Sequence, residues 1–248
     1  MKGFILAAGL GTRLKPWTDS HPKALVPVGG IPMLERVVDK FLQAGISDIT
    51  VNCFHFADQI KDFIASKGWN INIVDESPEL LETGGAILNA SRFLEGDEPI
   101  LVHNVDILSN ANFNNLERDH LQYESMATLL ISNRESSRKL IFDKELRLKG
   151  WHNLTTGKYR PPNISETGVC NEYAFSGIYV VSPSIIKEMR NRGWQGRFSI
   201  MDFFLDSLDS LSYKGHLVRD LQLIDIGKPD SLRLANEKFE GLNQNNDF

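Results

Sequence analysis

Near its start the chain carries an apolar run, Gly3-Phe4-Ile5-Leu6-Ala7-Ala8, that empties directly into Gly9-Leu10-Gly11-Thr12-Arg13. A short apolar run bounded by glycine reads as a buried strand, so residues 3–8 predict an interior strand with a loop at its carboxyl end. Glycine accepts positive φ and lets the backbone come close to a ligand, so successive N–H groups can converge on an anion. Arg13 and Lys23 add two positive charges to the same loop, a combination suited to a polyphosphate. Taken alone, Gly9-Leu10-Gly11 also reads as a plain strand-to-loop turn. It is not the dinucleotide fingerprint, because Leu14 fills the third glycine position, which argues against a nicotinamide-dependent oxidoreductase. No G-x-x-x-x-G-K-[ST] loop is present, so a P-loop hydrolase is excluded as well.

The following segments alternate. Helical spacing covers Met33 to Ala44, Ala57 to Ser66, and a stretch opened by Thr83-Gly84-Gly85 that runs to about Phe93. Between them Asp48–Cys53, Ile71–Val74 and Pro99–His103 read as strands, which implies a parallel sheet with right-handed crossovers. Beyond Asp106 the rhythm changes. A helix is expected around Asn114–Tyr123, then a strand over Ala127–Ser132 and a hairpin around Asp143-Lys144-Glu145. Residues 152–172 read as a long loop, Tyr173–Val181 as a strand, and Pro183–Arg192 and Ile200–Leu208 as helices. Gly215–Val218 and Leu223–Ile226 are expected strands, and Pro229 opens a last helix.

With 248 residues and a net charge of −5, the basic loop is a local feature of an acidic chain, which excludes nonspecific binding to nucleic acid or anionic membranes. No apolar run approaches a membrane span, and Gly9 and Gly11 interrupt any signal-peptide core. The two cysteines, Cys53 and Cys170, have neither metal-ligand spacing nor a disulfide framework and are expected reduced and buried, in a cytoplasmic protein.

Ligands of open parallel sheets sit at the carboxyl ends of strands. The Gly9–Arg13 loop, the Thr83 helix start and Asp106 all fall there. Asp225, between Ile224 and Ile226, would be costly to bury bare. Two carboxylates beside a triphosphate suit Mg²⁺, which takes few carboxylates plus substrate oxygens. A turn or cap is the alternative for each aspartate. Trp151, His152 and Trp194 are candidates for a sugar-stacking floor or for core anchors. Glu172 and Ser176 are candidates for binding hydroxyl groups. His55 and His103 read as hydrogen-bonded structural histidines.

From Gly9 to Pro27 the chain resembles the signature of the sugar-1-phosphate nucleotidylyltransferases, G-x-G-x-R-x-x-P-x-T-x-x-x-P-K-x-L-x-P, at every specified position. The resemblance continues through Leu81-Glu82-Thr83-Gly84-Gly85, Asn104-Val105-Asp106, Phe175-Ser176-Gly177-Ile178 and Asp225-Ile226-Gly227. It is nearest in pattern to the N-acetylmuramate-1-phosphate uridylyltransferases, with mannose- or heptose-1-phosphate guanylyltransferases as neighbours. It implies a single-domain, Rossmann-like α/β/α fold of three layers with a mostly parallel mixed sheet. The nucleotide-binding part would span about 1–110 and the sugar-binding part about 111–242, with a frayed tail at 243–248. No acyltransferase domain is implied.

By the same resemblance, the backbone of Leu6, Ala7, Ala8, Gly9, Gly11 and Thr12 would hold the nucleotide, together with Thr83 and Asn104. Arg13 would bind the departing pyrophosphate, and Lys23 would bridge the α-phosphate and the sugar phosphate. Asp106 and Asp225 would hold Mg²⁺. Gly84 and Gly85 would let the base approach, and Gly177 would border the sugar beside Ser176. The partners would be an NTP (UTP or GTP) and a sugar 1-phosphate, the enzyme a monomer or homodimer. Two departures bear on the base. Val105 stands where relatives often have glycine, and Glu76, Ser77 and Glu79 stand where a base-reading glutamine is expected. Guanine offers two adjacent donors to a carboxylate, so Glu79 or Glu82 suits it better than uracil, although Glu82 also reads as a helix cap. A nucleotide-sensing homologue without catalysis would lack charged positions, whereas Arg13, Lys23, Asp106 and Asp225 are all present.

Overall fold

A computed structural model describes residues 1–164 and 171–241. The opening apolar run forms β1 (Lys2–Leu6), and the loop after it holds a two-strand clip of β2 (Pro27–Val28) and β3 (Ile31–Pro32). Then come α1 (Met33–Gln43), β4 (Ile49–Cys53), α2 (Ala57–Ser66), β5 (Asn72–Asp75), α3 (Glu82–Asn89) and α4 (Ser91–Leu94). Next are β6 (Ile100–Asn104), β7 (Ile107–Ser109), α5 (Phe113–Tyr123), β8 (Ala127–Ser132) and β9 (Arg138–Phe142). The chain goes on through β10 (Leu148–Asn153), β11 (Lys158–Arg160), β12 (Asn171–Val181), α6 (Ser184–Asn191) and α7 (Ile200–Asp206). It ends with β13 (Tyr213–Leu217), β14 (Leu223–Asp225) and α8 (Pro229–Gly241).

The central sheet is mixed, and its two halves differ. Strands β6, β1, β4 and β5 lie side by side and parallel, so their carboxyl ends share one edge. From β12 onward the pairing turns antiparallel, to β6, β8 and β9, and through β9 to β10 and β11, while β13 adds to β8 in parallel. Alternation along β1 sends Phe4 into one core and Ile5 into the other. The Phe4 side is covered by α3, α4, α6 and α7, through residues such as Ile87, Leu94, Ile186 and Phe203. The Ile5 side is covered by α1, α2 and α5, through Phe41, Ile60 and Leu116. This is the three-layer α/β/α architecture.

A third, smaller core positions the site. Leu14, Val26, Val28 and Met33 of the opening loop pack on Leu108, on Ile224 and Ile226, and on Ala235 of α8. The basic loop therefore rests on a floor made by Leu108 and by residues among the last twenty of the described chain. Of the two-stranded ladder in that floor, β14 falls on the strand expected at Leu223–Ile226, whereas β7 was not predicted, because a three-residue strand carries too little pattern. Residues 152–172, expected as a loop, instead hold the end of β10, all of β11 and the start of β12. Cys170, Gly168 and the tail 243–248 lie outside the described residues.

Candidate active site

The end of β1 is fastened by two buried polar side chains. Ala7 N–H donates to Asn52 Oδ1 (2.6 Å), Asn52 Nδ2 donates to Glu76 Oε1 (2.6 Å), and Leu81 N–H donates to Glu76 Oε2 (2.9 Å). Asn52 lies within the fully buried β4, where an amide lacking partners would be costly. An amide inside the apolar run Ile49-Thr50-Val51-Asn52-Cys53 is the sequence signal that marks it. Burial raises the Glu76 pKa, against the pull of its two donors. The Leu6 carbonyl accepts from Val105 N–H (3.1 Å), so Leu6 and Ala7 have backbone groups already engaged by protein.

Beyond them the backbone opens. Among the described residues, the N–H groups of Ala8, Gly9, Leu10 and Gly11 donate to no protein acceptor. Gly11 has φ +63, and a Cβ there would lie 2.8 Å from Thr18 Cγ2 and 2.9 Å from Lys23 Cβ. Only glycine fits both restrictions. The turn is held by Thr18 Oγ1 donating to the Gly11 carbonyl (2.9 Å). Thr12 and Arg13 are exposed beside it.

The charged groups meet at Gly227. A Cβ on that buried glycine would fall 2.7 Å from Arg13 Nη2, 2.8 Å from Asp225 Oδ1 and 3.2 Å from Lys23 Nζ. Lys23 Nζ in turn contacts Asp106 Oδ2 directly. Asp225 pairs with Ile107 across the β7–β14 ladder, one residue after Asp106, and Ile226 N–H donates to the Asp106 carbonyl (3.0 Å). Four side chains, from two loop positions and two strand ends, therefore border one small space. The donor chemistry fits a hard divalent cation. It offers two carboxylates, and among the described residues no group of three or more His, Cys, Asp or Glu competes for another kind of metal.

Other predicted site residues stand elsewhere. Gly84 and Gly85 do not form an opening for a base. A Cβ on Gly84 would lie 2.2 Å from Phe198 Cε2, and one on Gly85 would lie 2.2 Å from the Gly196 carbonyl oxygen. Both N–H groups donate to the Phe198 carbonyl (2.9 and 3.2 Å), and Thr83 Oγ1 accepts from Ile200 N–H (2.9 Å). Glu82 makes no cap hydrogen bond; its carboxylate pairs with Arg197 (2.8 Å). Glu79 is exposed, its N–H bonded to the Glu76 carbonyl (3.0 Å).

The four sugar candidates are not one surface. Trp151 pairs across strands with Leu140 and Arg160 and packs on the Phe4-side core. Glu172 falls on the other face, where it accepts from His152 Nδ1 (2.8 Å) while His152 stacks on Tyr159 at 3.9 Å. Ser176 is buried, and its hydroxyl bonds with the Ile178 backbone rather than facing a pocket. Gly177 has φ +79, and a Cβ there would lie 2.6 Å from Asn104 Nδ2, so it brings β12 against the Asn104–Asp106 turn. Trp194 packs on Phe198 and Phe203. His103 is buried, its Nδ1 at 2.8 Å from the Asn104 carbonyl, and burial lowers its pKa to about 3. Cys53 is buried, which pushes its thiol up to about 11.

The family model described as nucleotidyl transferase matches residues 2–140. The chain is 40% identical over 108 residues to an N-acetylmuramate alpha-1-phosphate uridylyltransferase of Caulobacter vibrioides, covering 42% of this chain and 44% of that one. It is 28% identical over 204 residues to a mannose-1-phosphate guanyltransferase of Hypocrea jecorina, covering 77% and 52%. The matches span about half the length of such relatives. Among solved structures, HddC from Yersinia pseudotuberculosis complexed with GMP-PN superposes with a TM-score of 0.74 at 26% identity, over 96% of this chain and 99% of that one. The inositol-1-phosphate CTP transferase from T. maritima, at TM-score 0.74 and 14% identity over 98% and 96% of the chains, is a likeness of fold. No helix among the described residues is long and apolar enough to cross a membrane.

Proposed function

The chain belongs to the nucleotidyl transferase family, and on that premise we propose that it transfers a nucleoside monophosphate from an NTP to a sugar 1-phosphate. A phosphate oxygen of the sugar attacks the α-phosphorus in line. The bond from that phosphorus to the β-phosphate bridging oxygen breaks, and pyrophosphate leaves with the electron pair. The nucleophile is already an anion, so no general base is required. The observation that carries the reading is the convergence of Arg13, Lys23 and Asp225 on the space beside Gly227, with Asp106 against Lys23.

The free N–H groups of residues 8–11 would cradle the phosphates, a role backbone turns of this kind perform well. Arg13 and Lys23 would neutralise charge that grows on the leaving and bridging oxygens. Asp106 and Asp225 would hold Mg²⁺, which supplies further neutralisation and aligns the reacting phosphates. Asn52 and Glu76 would keep the start of the turn in place without touching substrate.

UTP with N-acetylmuramate 1-phosphate is the leading substrate pair, supported by the 40% identity over 108 residues to an N-acetylmuramate alpha-1-phosphate uridylyltransferase. The second reading is GTP with mannose or heptose 1-phosphate. It is supported by the longer match to a mannose-1-phosphate guanyltransferase and by the likeness to HddC with GMP-PN. Release of pyrophosphate across four NTPs and a panel of sugar 1-phosphates tests both. Turnover only with UTP and N-acetylmuramate 1-phosphate supports the first, turnover only with GTP the second, and none with any pair removes the transfer reaction.

A further inference from the structure

Arg134 follows the end of β8, in a polar stretch that reads from sequence as an ordinary solvated loop. Its guanidinium is half-buried. Nη2 donates to the Phe175 carbonyl (2.7 Å), Nη1 donates to the Glu135 carbonyl (3.3 Å), and Nε is sealed from solvent with no acceptor. Two of the five N–H donors a guanidinium carries are thus used. No carboxylate pairs with it among the described residues; the Asp225 carboxylate acts on it from beyond ion-pair distance. Burial lowers its pKa from the ordinary guanidinium value, yet the group stays charged near neutrality.

Its position relates it to the site. Phe175, which Arg134 grips, begins the irregular part of β12 that contains Ser176 and Gly177. Gly177 abuts Asn104 and Ile107, and Ile107 faces Asp225 across the short ladder. The guanidinium therefore stands on the β12 side of the site, within electrostatic range of Asp225 but not paired with it, whereas Arg13 and Lys23 come from the opening loop. A desolvated cation without a counter-ion is unfavourable unless an anion completes it. The triphosphate already has the turn N–H groups, Arg13 and Lys23 to receive it. We propose that Arg134 binds the phosphate of the incoming sugar 1-phosphate. The assignment rests on the transfer reaction proposed above.

The test is steady-state kinetics of Arg134→Met and Arg134→Lys with the NTP and sugar 1-phosphate that the wild-type enzyme turns over, alongside thermal melts. The expected result is a KM for sugar 1-phosphate raised roughly tenfold or more in Arg134→Met, a KM for NTP changed less than about twofold, an unchanged melt, and partial rescue by lysine. Two outcomes overturn it whichever sugar 1-phosphate is used. One is an unchanged KM for sugar 1-phosphate in an active Arg134→Met enzyme. The other is a lowered melt with both KM values raised alike in both variants, which would make Arg134 a clamp on β12. An effect confined to sugars bearing a carboxylate also overturns it, since the anion bound would then not be the phosphate. A wild-type enzyme without turnover on any pair would remove the underlying reaction and this assignment together.

Discussion

Two glycine-bearing turns follow parallel strands on the same edge of the sheet, one after β1 and one at the start of α3, and they have opposite fates. After β1, the N–H groups of residues 8–11 have no protein acceptor among the described residues, and none of those residues places an atom within 4 Å of where a Gly9 Cβ would stand. At α3, the N–H groups of Gly84 and Gly85 are taken by the Phe198 carbonyl, and the space at each glycine is filled by Phe198 or Gly196. Both stretches have the composition of an anion cradle. What separates them is whether a distant segment has already occupied the opening.

The comparison can be broken at its strong end first. Arg13→Ala and Lys23→Ala should each lower kcat/KM by about 10²–10³-fold, as loss of an aimed charge does elsewhere, with the melt unchanged. Near-normal turnover in either would remove the charge-neutralising role. Gly227→Ala against Gly84→Ala is the sharper pair. At Gly227 the new methyl meets Arg13, Asp225 and Lys23, so activity should fall while stability holds. At Gly84 it meets the Phe198 ring, so stability should drop by about 1–3 kcal/mol through overpacking, and the folded fraction should keep its KM for NTP. The opposite pattern, measured by melts and initial rates, would reverse the roles assigned to the two turns.

Asn52→Ala tests what holds the open turn open. It leaves the Ala7 N–H and the Glu76 carboxylate short of a buried partner, at a cost of about 1–3 kcal/mol in chemical denaturation. An unchanged midpoint would show that the network carries no load. Acid probes the sheet behind the turns. Burial lowers the pKa of His103 to about 3 and of His120 to about 4, so the folded protein keeps both neutral while the unfolded chain protonates them below about 6.5. The unfolded state then binds more protons, and stability, complete above about 6.5, declines as pH falls toward 4. His120→Asn should flatten that decline; an unaltered slope would assign it to other groups. The smallest effect belongs to the exposed Glu82–Arg197 pair at the closed turn, where Glu82→Ala should change stability by less than about 1 kcal/mol.

The legible part of this molecule was local. Phe4 to Arg13 could be read as strand and cradle because an apolar run, a glycine pair and a charge lie within ten consecutive residues. Periodicity likewise exposed the helices that carry wide apolar stripes, such as α1 with Leu34, Val37, Val38 and Phe41. What stayed hidden depends on partners far along the chain. Phe198 meets Gly84 across more than a hundred residues, and the faces taken by Trp151 and Glu172 follow from a hairpin register with a bulge between Leu148 and Gly150. Ser176 turned inward because β12 is irregular there. Arg134 was silent because a lone arginine in a polar stretch has no period, and only burial distinguishes it.

The third core has a consequence for the order in which the molecule comes into being. A ribosome releases the cradle among the first thirty residues, but Ile224, Ile226 and Ala235, on which Leu14 and Val26 lie, emerge some two hundred residues later. Until then Leu108 and Met33 are the parts of this core that the loop can meet. The shape of that loop is therefore fixed late, by residues some two hundred positions downstream of it, and not by its own local sequence.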